Sequence, residues 1–111
     1  MEIQLQKQGA VTVLKPVGAL TATDAEGFRA KIRDAADAAL GRIVVDAAGV
    51  PFVDSAGLEA LLTVSEQLGA AGRSLKLCGV NPTIREVLEM TGLADAFEHF
   101  ADVTTGVRSF L

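Results

Sequence analysis

The residues best placed to do chemistry are Asp54 and Ser55, in the segment Phe52-Val-Asp-Ser-Ala-Gly-Leu58. A hydroxyl stands there beside a carboxylate, between the apolar run Ile43-Val-Val45 and a second apolar run that begins at Leu58. Helix character resumes after Ser55, and the free amides and dipole of a helix start favour negative charge. Two chemistries fit. Asp54 or Ser55 caps the helix and does nothing more, or the Ser55 hydroxyl accepts a phosphoryl group that the helix start accommodates. A phosphate would add roughly −1.5 to −2 charges beside Asp54, enough to alter any partner surface docked on the neutral hydroxyl. Ala56 and Gly57 are small and leave Ser55 uncovered. Glycine inside a helix costs about 1 kcal/mol relative to alanine, a cost that makes sense where something approaches closely.

Other chemistries lack their parts. A serine-hydrolase elbow, Gly-x-Ser-x-Gly, needs glycine two residues before the serine, and Val53 stands there. His99 is the only histidine and sits between phenylalanines in Phe97-Glu-His-Phe100, a structural setting. A phosphoaspartate receiver would use Asp54 or Asp46, but its further acids and its late lysine are not in place. Gly69, Gly72 and Gly79 do not have phosphate-loop spacing. One cysteine, Cys78, and one histidine make no disulfide and no metal-ligand set. Cys78 reads as a small buried hydrophobe. The expectation is a protein without catalytic residues, cofactor or metal.

Composition narrows the class further. With 111 residues the chain fits one domain. Half of it is hydrophobic, with five Phe and no Trp or Tyr, so Ala, Val, Leu and Ile must fill the core. The net charge of −4 and the scattered basic residues argue against nucleic acid as a partner. Charged residues interrupt every apolar stretch well before the roughly 18 residues of a membrane span, so direct membrane insertion is not expected. The opening Met-Glu-Ile-Gln-Leu-Gln-Lys alternates and is no signal peptide, which predicts a cytoplasmic protein.

The elements that must position Ser55 follow from periodicity. Ile3 and Leu5, then Val11 and Val13, alternate with polar residues on either side of Gln8-Gly9 and predict a hairpin. Thr23 and Glu26 have capping-box spacing and predict a helix starting near Asp24. Its apolar positions are Ala25, Phe28, Ile32, Ala35, Ala36 and Ala39, and Gly41 ends it. Ile43-Val-Val45 reads as a central strand covered on both faces. The helix after Ser55 carries a stripe of Leu58, Leu61, Leu62, Ser65 and Leu68 and stops around Gly69 to Gly72. Leu75 to Val80 forms a fourth strand. Asn81-Pro82 starts a third helix with Ile84, Val87, Leu88 and Thr91 inward. Phe97 to Phe100 forms a last strand, and Val103, Val107 and Phe110 a last helix. The prediction is an α/β fold with a mixed sheet of about five strands and about four helices. Ser55 lies where a strand end gives way to a helix, the working edge of such sheets.

Val17-Gly-Ala-Leu-Thr21, Ile43-Val-Val-Asp46, Phe52-Val-Asp-Ser-Ala-Gly-Leu58 and Val87-Leu-Glu-Met-Thr-Gly-Leu93 together resemble the STAS domain of bacterial anti-sigma factor antagonists. The resemblance covers nearly the whole chain, so a single STAS domain over residues 1–111 is expected. It implies that Ser55 is phosphorylated by an anti-sigma factor that is itself a serine protein kinase, with Asp54 as the supporting neighbour. It also implies a partner switch: the unphosphorylated antagonist binds the anti-sigma factor and frees the sigma factor, the kinase inactivates it, and a PP2C-type phosphatase restores it. Motif geometry predicts a contact surface of Thr21, Ala22, Thr23 and Asp24, with Asp54, Ser55, Ala56, Gly57 and Leu58. The exposed helix side at Glu59 and Thr63 completes it. Thr21 stands where many antagonists carry an acidic residue, and Glu59 where glycine is common. The alternative is a non-phosphorylated STAS interaction subunit of a transport complex, for lipid or anion, or of a sensory complex.

Overall fold

The computed structural model describes residues 1–111. Alternation over the first seventeen residues produces β1 (Glu2–Gln8) and β2 (Val11–Val17), an antiparallel hairpin pairing Glu2 with Val17 and Gln8 with Val11. Then come α1 (Ala22–Ala38), β3 (Ile43–Asp46), α2 (Ser55–Ala70), β4 (Leu75–Cys78), α3 (Pro82–Met90), a 3₁₀ turn at Ala94–Ala96, β5 (Phe97–Phe100) and α4 (Val103–Arg108). The sheet has five strands in the order β1-β2-β3-β4-β5, and every pair after the hairpin is parallel. The expected mixed α/β architecture is present.

Each crossover between parallel strands brings its helix to one face of the sheet. Leu14, Ile43, Val45, Leu75, Leu77 and Phe97 point to that face and form one core with Phe28 and Ile32 of α1, Ala60, Leu61 and Val64 of α2, and Ile84 and Leu88 of α3. The opposite face presents Val11, Val44 and Cys78, covered by Val103 and Val107 of the short α4 and by Phe110 just after it. Ile43-Val-Val45 is buried on both faces, as its unbroken apolar run predicts. Lys76 alternates onto the α4 side. There its ammonium lies 3.2 Å from Glu98, donates to the Ser109 hydroxyl at 2.6 Å and sits 4.1 Å from the Phe110 ring centre.

Three local expectations need correction. α1 begins at Ala22, two residues before Asp24, and the Thr23–Glu26 capping box does not form. Thr21 is the N-cap residue by backbone and supplies no side-chain bond, while Glu26 pairs with Arg29. The buried stripe of α2 is Gly57, Ala60, Leu61, Val64, Ser65 and Leu68, leaving Leu58 and Leu62 only half-buried. The helix is rotated so that its small residues face α1 and the sheet. β4 ends at Cys78, because Gly79 takes a left-handed φ of 68° and turns the chain towards Asn81.

Candidate functional site

Residues 47–54 connect β3 to α2, and hydrogen bonds hold both sides of this segment. On one side Gly18 N–H donates to the Gly49 carbonyl (3.0 Å), Leu20 N–H to Phe52 (3.1 Å), and Asp54 N–H to Leu20 (3.1 Å). Leu20 and Val53 therefore form a one-residue parallel bridge. On the other side Asn81 Nδ2 donates to the carbonyls of Pro51 (2.9 Å) and Val50 (3.3 Å), while Asn81 Oδ1 accepts from Ile84 N–H (2.8 Å) to cap α3. One asparagine thus fixes both a helix start and the loop before Ser55.

Asp54 is the N-cap of α2, its Oδ1 accepting from Gly57 N–H at 2.8 Å. Its other oxygen accepts from Ala22 N–H at 3.0 Å, at the start of α1. That bond supplies the cap that Thr21 and Thr23 do not. One carboxylate joins two helix N-termini separated by 32 residues in sequence. Hydrogen bonds from Gly57 and then Ala22 hold the Asp54 carboxyl below its ordinary pKa of 3.8, because they stabilise the charged form.

Since Asp54 does the capping, Ser55 is left as the first helical residue with an exposed side chain. Its hydroxyl faces outward where the positive ends of α1 and α2 converge. Gly57, one turn into the site, is buried. A Cβ there would overlap the Leu20 carbonyl oxygen, so no larger residue lets α2 start this close to the Leu20–Val53 bridge. Close approach is thus the reason for a glycine at this place, and the approaching group is backbone. Of the predicted contact residues, Ala22, Thr23, Ser55 and Glu59 are exposed, Thr21, Asp24, Asp54, Ala56, Leu58 and Thr63 half-buried, and Gly57 buried. Gly57 acts from beneath the surface by setting the approach of α2.

Other candidates fall elsewhere. The Cys78 thiol is buried under α4, and burial, helped by the charges of Asp46 and Asp102, pushes its pKa up to about 11. His99 lies on edge strand β5 with Nε2 2.8 Å from the Ala94 carbonyl, so that nitrogen carries the proton and Nδ1 is buried without a partner. No three His, Cys, Asp or Glu side chains gather as a metal-ligand set, and no helix is long and apolar enough to cross a membrane. The residues that sequence reasoning missed are Leu20 and the second role of Asn81. Gly57 was the only signal of the former, and nothing in the sequence marked the latter.

The chain is similar to known proteins in sequence and in fold. The STAS domain model matches residues 2–106. BtrV of Bordetella bronchiseptica, a candidate anti-sigma factor antagonist, is 29% identical over 97 residues, covering 87% of this chain and 84% of BtrV. The fold superimposes on a candidate anti-sigma factor antagonist of Thermotoga maritima with a TM-score of 0.87 at 18% identity, over 96% of this chain and 92% of that one. It also matches the phosphorylated form of the Bacillus cell fate determinant SpoIIAA, with a TM-score of 0.73 at 24% identity over 99% and 100% of the two chains. With a family model spanning nearly its full length and a shared fold behind it, the chain belongs to the STAS domain family.

Proposed function

We propose that this chain is an anti-sigma factor antagonist working by partner switching, with Ser55 as its phosphoacceptor. The observation that carries this reading is the division of labour at the start of α2. Asp54 satisfies the amides of both helices, so the Ser55 hydroxyl is exposed and uncommitted. The relation to BtrV, and the fold shared with a SpoIIAA structure in its phosphorylated form, support the same role.

In the transfer, Ser55 Oγ attacks the γ-phosphorus of ATP held by the anti-sigma factor, a serine protein kinase. The new O–P bond forms as the bond to ADP breaks, and the hydroxyl proton leaves to a base of the kinase. The phosphoserine sits at two helix N-termini, whose dipoles favour its charge, so the fold tolerates it. The partner surface does not, since roughly −1.5 to −2 new charges next to the ionised Asp54 require desolvation on binding. A PP2C-type phosphatase hydrolyses the ester and returns the binding form. The chain itself is substrate and ligand in this cycle, not catalyst. Its contact surface comprises Thr21 to Asp24, Ser55, Ala56, Leu58, Glu59 and Thr63, positioned by Asp54 and Gly57.

The test is affinity for the kinase by calorimetry. Ser55→Ala should bind like the parent and stay bound in the presence of ATP, whereas Ser55→Asp should remain folded and bind about tenfold or more weakly. Equal binding by all three proteins would overturn the proposal.

A further inference from the structure

Phe52 is half exposed, at 50% of its possible surface, and is the only aromatic side chain among the large hydrophobics left in solvent. A lone exposed apolar residue is ordinary, but this one is not loosely held. Its own carbonyl accepts from Leu20 N–H at 3.1 Å, and the carbonyls of the two residues before it accept from Asn81 Nδ2. Val53, the residue after it, pairs with Leu20. The backbone is pinned on both sides while the ring faces outward, three residues before Ser55. Next along the same connection, Gly49 lies against Val17, itself 40% exposed at the end of β2.

We infer that Phe52 is the apolar anchor by which the kinase engages this chain, its ring entering a hydrophobic pocket beside the phosphoryl-transfer centre. The inference rests on the proposed role of Ser55 and adds what that role lacks. Apart from the half-buried Leu58, the expected contact residues around Ser55 are small or polar, and such groups seldom dominate an interface, whereas a buried aromatic commonly does. A partner that reaches the Ser55 hydroxyl must lie over the adjoining loop. Because that loop is already ordered, docking it costs little conformational entropy. The phosphate then acts on a neighbouring site and leaves the anchor chemically unchanged, so that anchor and switch are separable residues.

The experiment measures phosphorylation kinetics of the parent, Phe52→Ala and Phe52→Leu with the serine protein kinases of the source organism, each variant checked for parental thermal melting. The inference predicts that Phe52→Ala raises KM about tenfold or more with kcat little changed, since an anchor remote from the reacting atoms contributes uniform binding. Phe52→Leu should recover most of the loss, because it keeps an apolar group in the pocket. An unchanged KM for Phe52→Ala, with Ser55 still phosphorylated, would overturn the anchor and leave the switch standing. Failure of every kinase to phosphorylate Ser55 on the folded parent would overturn both.

Discussion

Helices α2 and α4 begin alike and end up with different tasks. Each has an aspartate N-cap, Asp54 or Asp102, that accepts from an amide three residues on at 2.8 Å, and each carries a glycine pressed against its neighbour. In α4 the cap is wholly local: Asp102 takes both the Thr105 amide and its hydroxyl. The next residue, Val103, packs onto the sheet. In α2 the second oxygen of the cap reaches the start of α1 instead, and the next residue is an exposed serine. A cap confined to its own helix docks that helix. A cap shared between two helices gathers two positive helix ends around one free hydroxyl.

Gly57→Ala should separate the two helix starts most sharply. The new methyl would meet the Leu20 carbonyl, which belongs to a bridged backbone and cannot rotate away. A loss of about 3 kcal/mol in denaturant unfolding is expected, net of the helix preference of alanine. Gly106→Ala brings the methyl 2.6 Å from Cys78 Sγ, a side-chain atom of the sheet and not a bridged backbone carbonyl, beneath a helix of only six residues. A smaller loss of about 1–2 kcal/mol is expected there. The two should also differ in kind. Gly57→Ala should impair phosphorylation of Ser55, and Gly106→Ala should leave it intact in the folded fraction.

The caps sharpen the same contrast. Asp54→Ala should lower the melting temperature more than Asp102→Ala, because it strips the starts of two helices and not one. Both carboxyls are held below their ordinary pKa of 3.8 in the folded protein. The unfolded chain therefore binds protons first as pH falls, and the stability these groups give above pH 3.8 is lost as pH drops towards their folded values. A melting series below pH 4.5 should show a flatter acid limb for Asp54→Ala and for Asp102→Ala than for the parent. At the alkaline end the sign reverses. Cys78, with its thiol pushed from 9.0 up to about 11, favours the folded state at neutral pH, and that contribution fades as pH rises from 9.0. Its alkylation in the native protein at pH 8 should be far slower than in the unfolded chain.

The smallest expected effect lies far from both helix starts, at the end of α1. Leu40 has a left-handed φ of 55°, the one non-glycine residue to do so, and is 68% exposed. Leu40→Asn should raise stability by about 0.5–1 kcal/mol, since asparagine adopts that conformation at lower cost.

How much of this was legible in the sequence depended on whether the deciding contact was local. The strands and the caps Asn81 and Asp54 or Ser55 could be read from neighbouring residues, because alternation and helix starts are set within a few positions. The register of α1 could not. Thr23 and Glu26 have the spacing of a local capping box, yet the start is set by Asp54, 32 residues away from Ala22 in sequence, which offers the Ala22 amide a charged acceptor. The stripe of α2 misled in the same way, since leucines at helical spacing drew attention from Ala60 and Val64, whose small size lets the helices approach. Gly57 announced that something comes close, and only the fold identified it as the Leu20 backbone.

The freedom of the Ser55 hydroxyl decides between a switch and a constitutive binding subunit. The direct measurement is intact mass and peptide mapping of the folded protein after incubation with ATP and the serine protein kinases of its organism. A single added phosphate, on Ser55 and absent from Ser55→Ala, is the predicted result. No phosphate on Ser55 with any of those kinases would contradict it, and would make the chain a constitutive STAS interaction subunit.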